Sequence, residues 1–156
     1  MNSKILVSSC LLGEAVRYDG VVKGLEHALL RRWVTEGRVV SFCPEVAAGL
    51  PVPRAPVELQ QDGYVRTEQG VDLSEAFARG AEMALAVCQR EGVVCALLKE
   101  RSPSCGSRWI YDGRFQGQLQ RGEGVTTTLL RQHGIPVYSE EQLPELVSFM
   151  MSQPMS

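Results

Sequence analysis

Long apolar stretches are missing from this sequence of 156 residues. It contains no run of about 18 apolar residues, which excludes a membrane-spanning helix. The apolar stretch near the N-terminus is too short for a signal peptide. We therefore expect a cytoplasmic protein whose five cysteines stay mostly reduced. In that compartment an odd number of cysteines favours a thiol or metal role over a disulfide framework.

An excess of charge of either sign is also missing. The formal net charge is -2, with 44% hydrophobic and 22% charged residues, which are ordinary values for a globular protein. This balance gives no reason to expect general affinity for nucleic acid or acidic membranes. The length is typical of one domain, so we expect residues 1–156 to form a single domain.

Predicted strands and helices alternate along the chain. The predicted strands are Lys4–Ser8, Arg38–Phe42, Val93–Leu98 and Pro136–Ser139. The predicted helices are Leu25–Glu36, Asp72–Arg90, Gly124–His133 and Glu140–Met151. Turn signals predict two small hairpins, at Glu58–Thr67 and Trp109–Leu119. Alternation of this kind predicts an α/β fold with a mostly parallel, Rossmann-like sheet flanked by helices and small hairpin insertions.

Three cysteines each follow a different predicted strand. Cys10, Cys43 and Cys105 come directly after the first, second and third strands or in the loop that leaves them. The carboxyl ends of parallel strands lie at the same edge of a sheet, where ligands bind, so we expect these thiols to converge. Cys88 and Cys95 fall on the apolar face of a helix and inside a strand, and we interpret them as small buried hydrophobic residues.

The loop from Lys99 to Gly106 combines charge, hydroxyls, proline, cysteine and glycine. Pro103 fixes its own φ angle and removes one backbone donor, and Gly106 permits a turn that other residues disfavour. Such a loop is stiff enough to hold the Cys105 sulfur in one place. Ser102 and Ser104 flank that sulfur with hydroxyls that can donate or accept hydrogen bonds.

Four interpretations of the three cysteines remain open at this point. The first is coincidence, and the second is a zinc site, which would want a fourth ligand such as His27 or His133, both in predicted helices. The third is a cysteine nucleophile, for which neither histidine is placed as a base. The fourth is an iron–sulfur cluster held by three thiolates, with one iron lacking a protein ligand and acting as a Lewis acid. Spacing alone does not select among them, because no C-x-x-C pattern is present.

A carboxylate close to Cys43 is the first candidate for acid–base chemistry. Glu45 lies two residues after Cys43 and should reach the same crevice, where it could exchange a proton with water or substrate. Ser102 is well placed to hydrogen-bond a substrate. Weaker candidates for lining the pocket are Arg17, Asp19 and Arg54.

Separated motifs along nearly the whole chain resemble the thiouracil desulfidase family. They are Ser9-Cys10-Leu11-Leu12-Gly13, Arg17-Tyr18-Asp19-Gly20, Cys43-Pro44-Glu45, Gly49-Leu50-Pro51, Pro53-Arg54, Lys99 to Gly106 and Tyr111-Asp112-Gly113. One position departs from the pattern, because many relatives carry a further cysteine where this chain has Val16. A fourth thiolate from that position is therefore not available, which favours an open iron.

The resemblance implies a [4Fe-4S] cluster bound by Cys10, Cys43 and Cys105, with one iron lacking a protein ligand. It implies an enzyme that removes sulfur from thiouracil or a related thiolated nucleobase without redox chemistry, giving uracil and hydrogen sulfide. It makes Glu45 the acid–base residue, with Ser102 as its assistant and Ser104 as the second choice. The expected partner is a small thiolated pyrimidine, and the mild net charge argues against intact tRNA. The alternative is a non-catalytic iron–sulfur or zinc binding module, or a redox sensor.

Overall fold

The computed structural model describes residues 3–15, 17–20 and 24–153. Its strands are β1 (Lys4–Ser8), β2 (Val39–Phe42), β3 (Val57–Leu59), β4 (Val65–Thr67), β5 (Val93–Leu98), β6 (Trp109–Tyr111), β7 (Leu119–Arg121) and β8 (Val137–Ser139). Its helices are α1 (Ala28–Thr35), α2 (Pro44–Ala47), α3 (Ser74–Glu91), α4 (Val125–Gln132) and α5 (Leu143–Met151). Short 3₁₀ turns occupy Ser9–Leu12 and Glu140–Gln142. In these described parts of the chain, none of the helices is long and apolar enough to cross a membrane.

Four strands form a central sheet in the order β2-β1-β5-β8, and all three pairings are parallel. The remaining strands form two antiparallel hairpins, β3–β4 and β6–β7. The prediction of a single α/β domain with a parallel sheet and small hairpin insertions is therefore confirmed. The two hairpins lie on the same side of the molecule, where β3 packs against β6.

Both faces of the central sheet are buried, because successive strand residues point to opposite faces and helices cover each one. On one face Ile5 and Val7 of β1 pack against α1 and α5 through Leu30, Trp33, Leu146 and Met150. On the other face Leu6 packs against α3 and α4 through Ala84, Cys88 and Leu130. Cys95 and Cys88 belong to these two clusters and are 0% and 2% exposed, so the interpretation of both as buried apolar residues is confirmed.

The ends of two predicted helices differ from the observed ones for local reasons. Helix α1 begins at Ala28 rather than Leu25, because the ring of His27 caps it and its Nδ1 accepts a hydrogen bond from Leu29 N at 3.2 Å. The last helix begins as a 3₁₀ turn at Glu140. There the hydroxyl of Ser139 and the amide of Gln142 form a capping box before α5 continues.

The one-turn helix α2 was not predicted from the sequence. It begins at Pro44, whose fixed φ suits the first position of a helix, and it ends where the Gly- and Pro-rich stretch begins. Helix α3 packs directly against it, at a position where α3 has a glycine. A Cβ atom at Gly80 would lie 2.4 Å from the carbonyl oxygen of Pro44. The backbones of α2 and α3 therefore approach more closely than any side chain would allow.

Substitution of this glycine provides a test of the close approach. Glycine is a poor helix former, so replacement by alanine inside a helix normally stabilises. For Gly80→Ala we expect the opposite, a loss of about 1–3 kcal/mol in the free energy of unfolding, because the new methyl group overpacks the contact with Pro44. The measurement is thermal or urea unfolding of the folded protein.

The matched control is Ala78→Gly, an exposed position of the same helix. It should be destabilised by about 0.5–1 kcal/mol through helix propensity alone. If Gly80→Ala instead stabilised the protein by about 0.5–1 kcal/mol, helix propensity alone would explain its effect. That result would refute the close packing of α2 on α3.

Candidate active site

The loops that leave β1, β2 and β5 open onto one pocket of about 670 Å³. These three strands are neighbours in the sheet and parallel, so their carboxyl ends lie at a common edge. Cys10, Cys43 and Cys105 all line this pocket. The structure therefore brings together the three cysteines that the sequence singles out.

Cys10 lies in the 3₁₀ turn that directly follows β1. The turn ends at Gly13, whose φ of 88° is in the left-handed region that favours glycine. Gly24 packs onto the same turn, since a Cβ atom there would lie 3.1 Å from the Cα atom of Gly13. The amide of Leu25 also donates to the carbonyl of Leu11 at 2.7 Å. The segment Gly24–Leu25 thus fixes the turn that carries Cys10.

Cys43 is the residue immediately before α2, and Glu45 lies in the first turn of that helix. The packing of Gly80 against Pro44 fixes the helix at this end. Both the thiol of Cys43 and the carboxylate of Glu45 line the pocket. The sequence Cys-Pro-Glu therefore places a thiol and a carboxylate in the same pocket.

Cys105 lies in a loop whose backbone is closed on itself. The hydroxyl oxygen of Ser102 accepts hydrogen bonds from the backbone amides of Ser104 and Cys105, both at 3.1 Å. Gly106 has no room for a side chain, because a Cβ atom would lie 2.7 Å from the carbonyl oxygen of Trp109. With its oxygen engaged in this way, the Ser102 hydroxyl still has its proton to donate toward the pocket that it lines.

A buried carboxylate holds the far side of this loop. Glu100 is 1% exposed, and its Oε1 accepts from the backbone amide of Ser107 at 2.6 Å and that of Arg108 at 3.2 Å. Its Oε2 accepts from the hydroxyl of Ser107 at 3.0 Å. Burial alone would raise the pKa of Glu100, but these donors outweigh it and hold the pKa below its usual value. Glu100 is therefore an anionic anchor for the loop that carries Cys105.

Burial raises the pKa of all three pocket thiols. The pKa of Cys10 is raised to about 11, mainly by desolvation and then by the neighbouring Cys43. Desolvation and then the Glu45 carboxylate raise the pKa of Cys43, and the same two causes raise that of Cys105 well above its usual value. The mutual effects of these sulfurs reflect their proximity. Because thiolates are the ligand form, binding of a metal group here has to displace protons.

Glu45 is half-buried, and its carboxylate is only partly paired. Its Oε2 lies 3.4 Å from Nη2 of Arg54, while no described residue hydrogen-bonds its Oε1, which is buried. Desolvation raises the pKa of Glu45, and the charge of Arg54 opposes that rise. An unpaired buried carboxylate oxygen is costly unless it has a partner when the site is at work. Glu45 is therefore the candidate for a carboxylate that gains a partner when the pocket is occupied.

Of the other residues that the sequence predicts at the site, some line the pocket and some do not. Arg17 and Arg54 line the pocket, whereas Asp19 does not line it and instead pairs with Arg17 at 3.0 Å. Ser102 lines the pocket, but Ser104 is 0% exposed beneath it, and its hydroxyl lies 2.8 Å from that of Thr126. Of the two serines, only Ser102 is thus placed at the pocket surface.

The donor set suits an iron–sulfur cluster. Three sulfur donors from three rigid loops line one pocket, and soft thiolates are the ligands that hold such clusters. The two histidines are elsewhere, with His27 capping α1 and His133 just after α4. Within the described residues, no three His, Cys, Asp or Glu side chains are grouped to hold a single metal ion. The thiols of one cluster bind different irons, so they need not meet at one point as zinc ligands do.

Comparison with known proteins agrees with this chemistry. The model of the 2-thiouracil desulfurase family matches residues 5–142. The chain belongs to the 2-thiouracil desulfurase family. The match includes all three pocket cysteines, Glu45 and the loop that carries Cys105. The resemblance stated from the sequence motifs is therefore confirmed.

Two relatives of this desulfurase-family chain cover nearly its whole length. A solved structure described as the [4Fe-4S]-dependent thiouracil desulfidase TudS is 55% identical, covers 96% of this chain and 99% of its own, and superposes with a TM-score of 0.94. The uncharacterized protein YbbK of Bacillus subtilis (strain 168) is 39% identical over 152 residues, which are 92% of this chain and 99% of that protein. Val16, at which the sequence departs from many members of the family, lies outside the described residues.

Several residues that line the pocket were missed by the sequence reasoning about the site. Lys99 and Tyr111 line it and stand inside motifs of the family, so the motifs contained a signal for both. The Nζ atom of Lys99 lies 2.6 Å from Glu140 Oε2. Glu58 and Phe115 also line the pocket, and they come from the two hairpins. Their sequence context gives no signal, because only the packing of one hairpin on the other brings them there.

Removal of the Glu100 anchor should destabilise the loop that carries Cys105. Glu100→Ala would leave several buried donors without an acceptor, so we expect a loss of roughly 3 kcal/mol or more in the free energy of unfolding. Glu100→Gln is the matched variant, because it keeps one carbonyl oxygen for the backbone amides. Its loss in the free energy of unfolding should therefore be smaller than that of Glu100→Ala. Equal stability of Glu100→Ala and the wild type in thermal unfolding would contradict this role.

The same anchor predicts a pH dependence. Because the pKa of Glu100 in the fold is lowered from its usual 4.5, its charge stabilises the fold above that pH. That contribution is lost as the pH falls through the lowered pKa. The melting temperature of the wild type should therefore fall more steeply below about pH 4.5 than that of Glu100→Gln. Parallel curves for the two proteins would refute the anionic anchor.

Proposed function

We propose that this chain is a [4Fe-4S]-dependent desulfidase that converts thiouracil, or a related thiolated pyrimidine, into uracil and hydrogen sulfide. The observation that carries the proposal is one pocket lined by three cysteines and by a buried carboxylate with one free oxygen. Membership of the 2-thiouracil desulfurase family and the 55% identity to TudS support it. We keep the cytoplasm as the expected compartment, because the three cysteines must stay reduced to act as ligands.

Cys10, Cys43 and Cys105 would hold the cluster as its three protein ligands. When bound, an iron without a protein ligand supplies a Lewis acid that suits the soft sulfur of a thiocarbonyl group. The chain offers no fourth cysteine to that iron, since Cys88 and Cys95 are buried in the two hydrophobic clusters. One coordination position on that iron would therefore remain for the substrate.

The reaction exchanges sulfur for oxygen at one carbon and needs no electron donor. Water supplies the new carbonyl oxygen, and its two protons leave with the sulfur as hydrogen sulfide. Glu45 is the residue that takes a proton from water or returns one, through its unpaired Oε1. Arg54 holds the other oxygen of the same carboxylate, which fixes its direction.

Ser102 assists in this proposal as a hydrogen-bond donor. Its oxygen is engaged by two backbone amides of the loop, so the hydroxyl is oriented, and its proton remains available. A hydrogen bond from that hydroxyl to the carbonyl oxygen of the ring, or to the developing carbonyl oxygen, would orient the substrate. Ser104 is fully buried and bonded to Thr126, so it is not placed to contact substrate, and it stays the second choice for assisting Glu45, with which its hydroxyl interacts.

The direct test is turnover of 2-thiouracil by the cluster-loaded protein under anaerobic conditions. We expect uracil and sulfide to appear in equal amounts and without an added reductant. The protein stripped of its cluster is the control and should release neither product. A cluster-bearing sensor or binding module would respond to oxidant but leave 2-thiouracil intact, and that outcome would overturn the proposal.

Glu45→Gln separates chemistry from cluster binding. We expect this variant to keep the absorbance of the cluster but to lose roughly 100-fold or more in kcat, because the amide cannot exchange a proton. Cys10→Ala is the matched contrast and should lose both cluster and activity. A Glu45→Gln variant with a kcat near that of the wild type would show that the acid–base assignment is wrong.

A further inference from the structure

Two bulky residues of the pocket have an unusual backbone conformation. Among the described residues, Arg101 and Phe115 are the non-glycine residues with a positive φ, at 72° and 56°. Both line the pocket. A bulky side chain disfavours this left-handed region, and residues held in it occur preferentially at functional sites.

The backbone of Phe115 is held in place by a carboxylate from the other hairpin. Oε1 of Glu58, in β3, accepts hydrogen bonds from the backbone amides of Gly113 at 2.9 Å and Phe115 at 3.1 Å. The amide group of Gln60 donates to the carbonyl of Gly113 at 3.2 Å. The loop between β6 and β7 is therefore fixed through its backbone amides to Glu58 of β3 and through a backbone carbonyl to Gln60, which directly follows β3.

The turn itself does not require an aromatic residue at this position. Gly113 and Gly117 already supply two left-handed positions in the loop, with φ of 91° and 70°. A third glycine at position 115 would follow the same path without steric cost. The phenyl ring of Phe115 is only half-buried, so it does not belong to the hydrophobic core. Its position at the pocket thus has no explanation in folding alone.

Four other aromatic residues line the pocket, namely Tyr18, Phe42, Phe77 and Tyr111, and the two phenylalanines among them are committed to packing. Phe77 is 2% exposed, and Phe42 packs against one of the two core clusters. Tyr18 is 44% exposed and Tyr111 is half-buried in β6. Phe115 is also half-buried, and it differs from all four because the Glu58 carboxylate holds its backbone in a left-handed conformation at the pocket. An accessible aromatic face beside a pocket suits a flat heteroaromatic ring, which stacks on such a face regardless of its substituents.

We propose that Phe115 is a specificity-determining residue whose ring stacks on the pyrimidine ring of the substrate, and that Glu58 is the positioning residue that holds it there. This inference rests on the proposed function, since it assumes a thiolated pyrimidine in the pocket. It assigns affinity for the ring to Phe115 and leaves the chemistry at the sulfur to Glu45 and the cysteines. Loss of the phenyl ring should therefore weaken binding and spare the chemical step.

The test compares Phe115→Ala with the wild type in the cluster-loaded protein. We expect the KM for 2-thiouracil and the inhibition constant of uracil to rise together, by roughly 5- to 150-fold, the range found when a stacked aromatic residue is removed. The kcat and the cluster absorbance should stay unchanged. Phe115→Tyr keeps the ring and should restore wild-type values. Tyr64→Ala removes an exposed aromatic residue of the β3–β4 hairpin that does not line the pocket, and it should have no effect.

Glu58 is tested through its dependence on Phe115. Glu58→Ala should raise the KM and the inhibition constant of uracil, while Glu58→Gln keeps an acceptor oxygen and should raise them less. If Glu58 acts by positioning the ring, Glu58→Ala adds little to Phe115→Ala in the double variant. Additive effects of the two substitutions would overturn the positioning role. Melting temperatures verify that each variant is folded.

Failure of this inference is distinguishable from failure of the proposed function. An unchanged uracil inhibition constant in Phe115→Ala, with normal turnover in the wild type, overturns the stacking role and leaves the desulfidase intact. Absence of sulfide release from the wild type overturns the function. In that case, binding of 2-thiouracil can still be measured through its effect on the cluster spectrum. This binding measurement then tests the stacking of Phe115.

Discussion

The convergence of three parallel strand ends is the constraint on which the candidate site depends. Strands β2, β1 and β5 are adjacent, and a cysteine follows the carboxyl end of each, directly after β1 and β2 and farther along the loop after β5. No single segment of the chain could supply all three cysteines. They stand at positions 10, 43 and 105, which are 33 and 62 residues apart. The sheet therefore has to be complete before the ligand set exists. Folding and assembly of the site are in this sense one event.

Rigid backbone contacts behind the pocket hold each sulfur in place. Gly80 allows α3 to approach α2, and Gly106 and Gly124 allow the loop that carries Cys105 to pack against neighbouring backbone. Glu100 completes that loop with hydrogen bonds from a buried carboxylate. Preorganised ligands suit a cofactor whose geometry is fixed, because little conformational freedom remains to be lost on binding. The same packing places Glu45 at the pocket that the three cysteines line, with one of its carboxylate oxygens buried.

Much of this architecture could be predicted from the sequence, for identifiable reasons. The strands are short apolar runs that end in polar loops, so Lys4–Ser8 and Val93–Leu98 were predicted with the observed limits. The order of the sheet and the short helix α2 could not be derived, because both depend on tertiary packing. Ser104 illustrates the same limit, since nothing local shows that it lies beneath the pocket while Ser102 lies at its surface. Phe115 and Glu58 were missed because they meet only through the contact between two hairpins.

We propose that Cys10, Cys43 and Cys105 hold a [4Fe-4S] cluster with one iron open to substrate, and the rest of the proposed function depends on this arrangement. The most direct measurement is an anaerobic absorbance spectrum with iron and acid-labile sulfide counts, repeated after addition of 2-thiouracil. We expect broad brown absorbance with about four irons per chain, and a spectrum that changes when the thiolated base is added. A colourless protein that takes up only zinc would contradict it.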